Sequence, residues 1–261
     1  MAVVERVTEV WRFREVIRNF VSQDLKVKYR RSALGFLWSL LNPLLMMLVL
    51  SVVFAKLFRF GEGKYTLFLL SGTLPWTFFA ATVDQCSFSI LGNESYTKRQ
   101  YFPKLVFPLS LVGQNLVTLV LSMFALLLAI GWFIGFQISP ALAILPLSML
   151  FLIAAALGLG AATAAVTVYF RDTQHLVQVG MTAWYFLTPI IWPMSMQPES
   201  THKYFKMNPM YFAMEMFRAP IHRAEWPSGN TILYSGLFSA GALVAGLAIF
   251  WWREDDLIFR L

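Results

Sequence analysis

The chain has 261 residues, of which 58% are hydrophobic and 13% are charged. Since a soluble domain carries about 25% charged residues, this composition excludes an ordinary soluble protein and indicates a membrane protein. The net charge of +7 would suit a nucleic-acid-binding protein, but the positions of the cations, given below, favour an interpretation as membrane topology signals.

Residues 3–23 predict an amphipathic helix at the start of the chain. The apolar side chains share one helical arc: Val3, Val7, Val10, Trp11, Ile17 and Val21. The opposite arc is polar: Glu5, Glu9, Arg12, Glu15 and Asn19. We expect this helix to lie in the cytoplasmic membrane interface, where Trp11 and Phe13 are favourable. The alternative is a solvated helix that packs on a partner.

A basic cluster and a first membrane span follow. The cluster contains Lys26, Lys28, Arg30 and Arg31. Residues 33–55 then contain no charged residue, and a spanning helix needs about 20 apolar residues. Asn42-Pro43 lies within this run. Because proline removes a backbone hydrogen bond, we expect a kink there.

Five further spans are predicted downstream. Residues 65–91 contain a single charged residue, Asp84, and give the second span. Residues 105–170 contain no Asp, Glu, Lys or Arg and suit a hairpin of two helices, broken near 135–140. A fifth span is expected over 173–198, ending near Trp192-Pro193, and a sixth over 230–252. An even number of spans places both termini on one side of the membrane.

The distribution of Lys and Arg sets the orientation. Fourteen lie on the side of the two termini: Arg6, Arg12, Arg14, Arg18, Lys26, Lys28, Arg30, Arg31, Lys98, Arg99, Lys104, Arg171, Arg253 and Arg260. Seven lie on the other side: Lys56, Arg59, Lys64, Lys203, Lys206, Arg218 and Arg223. Both termini are therefore predicted to be cytoplasmic.

Two connections have helical character of their own. Between the second and third spans, residues 93–99 predict a short helix with Asn93 as its cap, which could seat on a partner or form an ordinary basic loop. Between the fifth and sixth spans, the segment 193–229 is long and contains apolar residues in 208–218. The Glu215/Arg218 pair at i,i+3 suits a short helix at or within the outer leaflet.

The sequence lacks the common catalytic motifs. It contains no GxxxxGK[ST] phosphate loop, so ATP cannot bind to this chain by that route. It has no HExxH or GxSxG motif, and its single cysteine, Cys86, excludes a multi-cysteine metal site. An ion-coupled carrier usually keeps several ionisable groups in its spans, whereas here only Asp84 is available. An intramembrane enzyme would need convergent polar groups, which the spans do not offer.

Four stretches together resemble the membrane subunits of type-2 ABC exporters for polysaccharides, namely the O-antigen (lipopolysaccharide), capsule and teichoic-acid permeases. The resemblance covers nearly the whole chain. It rests on residues 28–38 (KYRRSALGFLW) with Leu41-Asn42-Pro43, residues 101–110 (YFPKLVFPLS), residues 169–172 (YFRD) and residues 208–218.

The resemblance implies an all-α fold with six transmembrane helices in a single domain, 1–261, that forms one half of a homodimer in the bacterial inner membrane. Residues 1–31 would be the cytoplasmic interfacial helix and basic segment, 33–252 the six-span bundle and 253–261 a cytoplasmic tail. Two copies of a separate ATPase would bind ATP and Mg, and this chain would bind no cofactor or metal and catalyse no reaction. The 194–229 segment would form re-entrant helices at the channel exit.

The resemblance also implies where this chain would couple to the ATPase. The expected coupling helix contains Asn93, Tyr96, Thr97, Lys98 and Arg99. Arg171 and Asp172, between the fourth and fifth spans, would form a second ATPase contact or a local ion pair.

Other residues are candidates for the transport path. Lys28, Arg30 and Arg31 could hold a pyrophosphate headgroup by charge-assisted hydrogen bonds, or they could act as topology signals alone, while the kink at Asn42-Pro43 could open a lateral path. Aromatic rings stack on sugar faces, so candidate channel-lining residues are Trp76, Phe79, Trp184, Tyr185, Phe186 and Trp192. Asp84 must face protein or water.

The leading hypothesis is the permease subunit of an ATP-driven exporter that moves a lipid-linked polysaccharide out of the cytoplasm. A small-molecule exporter of the same fold is the nearest alternative. An ion-coupled secondary carrier working without an ATPase is a more distant one.

Overall fold

The computed structural model describes residues 3–29, 62–99, 102–133, 139–254 and 256–260, together with positions 38, 41, 45 and 49. The described residues form helices and their connections, with no strand among them. Most of the predicted first span lies outside the described residues, including Asn42 and Pro43, and so do Arg30 and Arg31 of the basic cluster before it. Within that span Trp38, Leu41, Leu45 and Val49 are helical.

The N-terminal segment forms two helices where a single one was predicted. Helix α1 spans Val3–Arg12 and helix α2 spans Arg14–Tyr29, with a break at Phe13. The Phe13 ring packs edge-on against Phe102, with the ring centroids 5.8 Å apart. Val7 and Trp11 are exposed, and the membrane-interface position of this segment stays a prediction.

Among the described residues, four long helices are apolar enough to cross a membrane. They are α3 (Glu62–Gly92), α5 (Val106–Phe133), α6 (Leu145–Tyr169, continuing a 3-10 turn over Pro140–Ile144) and α10 (Gly229–Arg253). They confirm the second, third, fourth and sixth predicted spans as apolar helices of sufficient length. A short helix, α4 (Glu94–Arg99), separates α3 from α5.

The predicted fifth span is shorter than expected. Helix α7 spans Thr173–Leu187, 15 residues, and does not reach Trp192. It ends because Thr188 is extended and Pro189 follows, which cannot donate a helical hydrogen bond. At 1.5 Å per residue the helix is roughly 22 Å long, less than the ~30 Å hydrocarbon core.

Helix α3 lies at the centre of the bundle and contacts α5, α6 and α7. Large side chains such as Phe79 and Leu70 are almost fully buried along it. Helices α6 and α10 make the most extensive pairing, and they approach through glycine and alanine. Tight backbone approach of this kind is how helices associate in lipid.

Two helices lie between α7 and α10. Helix α8 spans Glu199–Met207 and helix α9 spans Pro209–Arg218, which continues into a π-helical turn over Ala219–Arg223. Helix α9 contacts α3, α6 and α10 and buries Met210, Met214 and Phe217. The segment therefore packs into one end of the bundle instead of forming a loose loop.

Candidate functional site

The short helix α4 caps one end of the bundle. It follows directly from the last turn of α3, where the Asn93 side chain donates to the Ser89 carbonyl oxygen at 2.8 Å. The Asn93 carbonyl oxygen accepts from the backbone N–H groups of Tyr96 and Thr97 and from the Thr97 hydroxyl. Tyr96 and Lys98 are exposed. The helix predicted over 93–99 is thus present, and part of its surface is free to meet another protein.

Charged groups cluster around this helix. Lys98 Nζ lies 2.5 Å from Glu94 Oε1, an i,i+4 ion pair. The Lys98 hydrogen bond and charge, together with the more distant Arg171 charge, lower the pKa of the Glu94 carboxyl. Arg171 and Asp172 are both exposed in the turn before α7. The structure therefore brings the two predicted ATPase-contact regions to the same end of the bundle.

Aromatic rings join α2 to the α4 region. Phe20 packs edge-on against Tyr96 and against Phe107, with centroid distances of 5.7 and 5.9 Å. A cavity of about 130 Å³ lies beside these rings and is also lined by Asp24 and Asn93. Burial raises the pKa of the Asp24 carboxyl. A displacement of α4 would therefore be transmitted directly to α2.

A polar cluster ties the N-terminal helix to the C-terminal tail at the same end. Arg6 Nη1 lies 3.0 Å from Glu254 Oε2 and also donates to the Trp251 carbonyl oxygen at 3.1 Å. The buried Lys104 donates from Nζ to the Glu254 carbonyl oxygen at 2.8 Å. These contacts hold α1, the α4–α5 connection and the end of α10 together.

Lys28 and Arg99, two further predicted site residues, lie in the last turns of α2 and α4. The backbone therefore places both at this end of the bundle. Arg30, Arg31, Asn42 and Pro43 lie outside the described residues, so their predicted roles at the substrate headgroup stay predictions.

Inside the described part of the bundle, most buried polar side chains are serine and threonine, and amide and carboxylate groups are few. Asn115 Nδ2 donates to Gln85 Oε1 at 3.0 Å and joins α5 to α3. The Asp84 Oδ1 atom is buried and has no hydrogen-bond partner in the described ranges. The sequence singled out Asp84 as the one charge in its span, and the predicted channel-lining role stays a prediction.

Four of the predicted aromatic residues form one cluster. The Trp76 ring lies 5.9 Å from Phe79, 6.2 Å from Trp184 and 5.7 Å from Tyr185, centroid to centroid. Trp76 and Phe79 are buried within the single chain, while Trp184 and Tyr185 are half-buried on α7. This cluster seats α7 against α3.

Phe186 and Trp192 are not part of the buried cluster, although the Phe186 ring lies 5.4 Å from Tyr185 at its edge. Phe186 is 63% exposed and points away from the bundle, next to the exposed Leu187. Trp192 packs edge-on against Phe205 of α8, with centroids 4.8 Å apart. Of the six predicted aromatics, Phe186 is the most available to a ligand or a second protein chain.

Asn208 has a structural role that was not predicted from the sequence, where it appeared only as part of the family resemblance. Its Oδ1 accepts from Trp184 Nε1 at 2.8 Å and from the Met210 backbone N–H at 3.0 Å, which caps α9. Its Nδ2 donates to Thr188 Oγ1 at 2.9 Å and to the Leu187 carbonyl oxygen at 3.2 Å. The Asn-Pro sequence at a helix start was the available signal for the cap.

A cavity of about 280 Å³ lies at the opposite end of α3 from α4. It is called the Arg218 cavity below, and its lining includes Tyr65, Phe68, Tyr211, Glu215, Arg218 and Arg223. Here one prediction was wrong, because Glu215 forms its ion pair with Arg223 instead of with Arg218. Arg218 is instead buried, and its guanidinium carbon lies 4.0 Å from the centre of the Phe68 ring. Burial lowers the pKa of Arg218 to about 10, which leaves the group protonated at pH 7.

Comparison with known proteins matches residues 15–221 to the ABC-2 type transporter family. The chain is 32% identical over 256 residues to the O-antigen export system permease protein RfbA of Myxococcus xanthus, covering 97% of this chain and 98% of that protein. It is 31% identical to a protein of the same name from Klebsiella pneumoniae, covering 88% of each. The polysialic acid transport protein KpsM of Escherichia coli is 24% identical, covering 90% of this chain and 92% of that protein.

Proposed function

The chain belongs to the ABC-2 type transporter family, and we propose that it is the membrane-spanning permease subunit of an exporter for a lipid-linked polysaccharide. The observation that carries this proposal is the match to O-antigen export permeases along nearly the full length of both chains. The four long apolar helices agree with a membrane permease. The sequence offers no phosphate loop, so ATP-driven export would require another polypeptide.

That polypeptide is a separate ATPase, which would bind ATP and Mg. The exposed face of α4 supports its placement as the coupling helix, with Arg171 and Asp172 nearby as a second contact. Through the Phe20–Tyr96 ring contact, a push on α4 would reach α2 and the basic segment that follows it. Lys28, Arg30 and Arg31 in that segment are proposed to hold the substrate headgroup, next to the proposed kink at Asn42-Pro43.

The remaining parts of the proposal concern the assembly. Two copies of the chain would form the channel, with six spans each, α1 in the cytoplasmic interface of the inner membrane and α8 and α9 re-entrant at the exit. The exposed face of α7, which carries Phe186 and Leu187, is the surface on which we place the second copy. Aromatic side chains along α7 would then line the sugar path.

The function is tested by deleting the gene and identifying the lipid-linked glycan that accumulates in the cytoplasm. Complementation with the wild-type chain should restore the glycan to the cell surface. If no glycan accumulates and a small molecule is retained instead, the chain is a small-molecule exporter of the same fold.

The coupling assignment is tested separately by co-purification with the ATPase. Replacing residues 96–99 by alanine should lower ATPase recovery at least about tenfold, because an interface loses several central side chains at once. The matched control replaces Lys203, Tyr204 and Lys206 of α8, which are exposed at the other end of the bundle. Equal ATPase recovery with the 96–99 variant and the control would place the contact elsewhere.

A further inference from the structure

Arg218 is a buried charged residue whose hydrogen-bond donors are only partly matched by acceptors in the fold. Its side chain is 4% exposed, and among the described residues its guanidinium donates a single hydrogen bond, from Nη2 to the Ile190 carbonyl oxygen at 3.4 Å. Its Nε atom is buried and has no hydrogen-bond partner among the residues that the structure describes. A guanidinium carries five N–H donors, and leaving a buried charged donor unmatched is costly.

The surrounding residues hold this guanidinium in one position. Its carbon lies over the Phe68 ring at 4.0 Å. On the other side lies Gly72, where a Cβ atom would come within 2.9 Å of Arg218 Nη2. A glycine at this position leaves the space that the guanidinium fills. The group is therefore preorganised, which reduces the entropy lost when a ligand binds.

The charge balance of the cavity favours an anion. Its charged lining groups are Arg218, Arg223 and Glu215, so cations outnumber anions in the lining. Glu215 and the neighbouring Glu225 form their ion pairs with Arg223, and Glu215 acts on Arg218 only as a nearby charge, without an ion pair. Tyr211 also lines the space, and a phenolic O–H group donates to anionic oxygens. The Tyr65 hydroxyl already donates to the Ile191 carbonyl oxygen at 2.9 Å.

The position of the cavity indicates which anion is available. Tyr65 is the first residue of the candidate span Tyr65–Gly92, and the end of a span lies at the level of the lipid headgroups. At 1.5 Å per residue, the span places Tyr65 about 40 Å from the α4 end. Phosphate is the anion found at headgroup level, and arginine matches phosphate oxygens through parallel N–H donors.

We propose that the Arg218 cavity binds a phosphate group at the end of the bundle opposite α4, with Arg218 as the principal ligand. The phosphate belongs either to a membrane phospholipid or to the lipid carrier of a transported glycan, and the chemistry of recognition is the same. This assignment goes beyond the proposed function and holds whichever molecule is exported, so a failure of either can be recognised separately.

The first experiment measures binding of inorganic pyrophosphate to the full chain, purified in a neutral detergent. The ATPase is left out because its nucleotide site would bind the same probe. Arg218→Met should weaken binding about tenfold or more, since a charged hydrogen bond contributes about 1.5–3 kcal/mol. Glu215→Gln should tighten binding severalfold, because it removes the negative charge in the cavity. Lys203→Gln, which changes an exposed cation in the neighbouring α8, is the matched control and should leave binding unchanged.

The opposite directions of these effects keep the test decisive. If Arg218→Met fails to fold, the tighter binding of pyrophosphate by Glu215→Gln still tests the proposal. Equal binding by wild type, Arg218→Met and Glu215→Gln, or no saturable binding by wild type, would overturn the proposal.

A second experiment distinguishes the two sources of phosphate. The chain is reconstituted in nanodiscs of phosphatidylglycerol or of phosphatidylcholine. After the protein is extracted from the nanodiscs, the lipids that stay bound to it are identified by native mass spectrometry. Retention of phosphatidylglycerol that is lost in Arg218→Met assigns the site to an anionic phospholipid. Pyrophosphate binding with no retained lipid assigns it to a pyrophosphate-bearing carrier. If neither probe separates Arg218→Met from wild type, no phosphate site exists there.

Discussion

Asn208 joins helix α9 to helix α7 through one amide group. It caps α9, accepts from the Trp184 indole and donates to the end of α7. All four of its hydrogen-bonding positions have partners, so the residue is fully satisfied where it lies. A residue of this kind sets the angle at which the α8–α9 segment meets α7.

Asn208→Ala is therefore expected to destabilise the protein by about 2–4 kcal/mol, since a helix cap is lost and the Trp184 N–H loses its acceptor. Asn208→Asp should fall between alanine and wild type, because it keeps the acceptor oxygen but loses both donors. Chemical denaturation in detergent micelles measures the loss. Ser200→Ala, an exposed substitution in α8, is the control and should change the stability by less than about 0.5 kcal/mol.

Glu215 and Arg218 illustrate what a sequence reveals at this scale. Their i,i+3 spacing predicted an ion pair and a helix, and the helix is present. The carboxylate instead pairs with Arg223, which the π-helical turn brings back toward it. That turn has no recognisable pattern in a single sequence, so the burial of Arg218 could not be predicted from spacing.

At the scale of elements, the pairing of α6 with α10 depends on two glycines. A Cβ atom at Gly158 would overlap the backbone of Ala242 and Leu243, and one at Gly246 would overlap the backbone of Gly158. The small residues of the fourth predicted span indicated close packing. Their partner helix was not identifiable, because every apolar helix in lipid presents a similar surface.

Gly246→Ala is expected to push α6 and α10 apart and to destabilise the bundle by about 1–3 kcal/mol, the usual range for overpacking. Gly241→Ala lies on the same helix and provides a matched control, because no atom lies within 4 Å of the added methyl group. That substitution should be neutral or stabilising by up to ~1 kcal/mol through helix propensity. Equal thermal unfolding midpoints for the two variants would contradict the described helix contact.

Helix boundaries followed local chemistry where a strong signal existed. The break between α5 and α6 lies close to the predicted position because Pro140 starts a new turn. The end of α7 was placed too late, since Pro189 outweighed the apolar run that continues to Trp192. The break at Phe13 has no proline or glycine, and the contact with Phe102 that accompanies it joins residues far apart in the sequence.

For the whole molecule, the contact between Arg6 and Glu254 constrains the topology. Residues near the two ends of the chain lie 3.0 Å apart, which supports the prediction that both ends lie on the same side of a membrane. The six-span prediction has the even number of crossings that this arrangement needs. The excess of Lys and Arg on that side predicts that it is the cytoplasm.

The topology can be tested by labelling single cysteines with a membrane-impermeant maleimide, and the buried Cys86 gives little background. Ser22→Cys in α2 and Asp256→Cys in the tail lie at exposed positions, so both should react in inverted membrane vesicles and not in spheroplasts. Ser200→Cys in α8 should react in the reverse pattern, because α3 separates the two ends of the bundle by about 40 Å. Labelling of positions 22 and 256 from opposite faces would contradict the Arg6–Glu254 contact itself. Labelling of both in spheroplasts would preserve that contact and reverse the orientation, which would also move the proposed ATPase contact out of the cytoplasm.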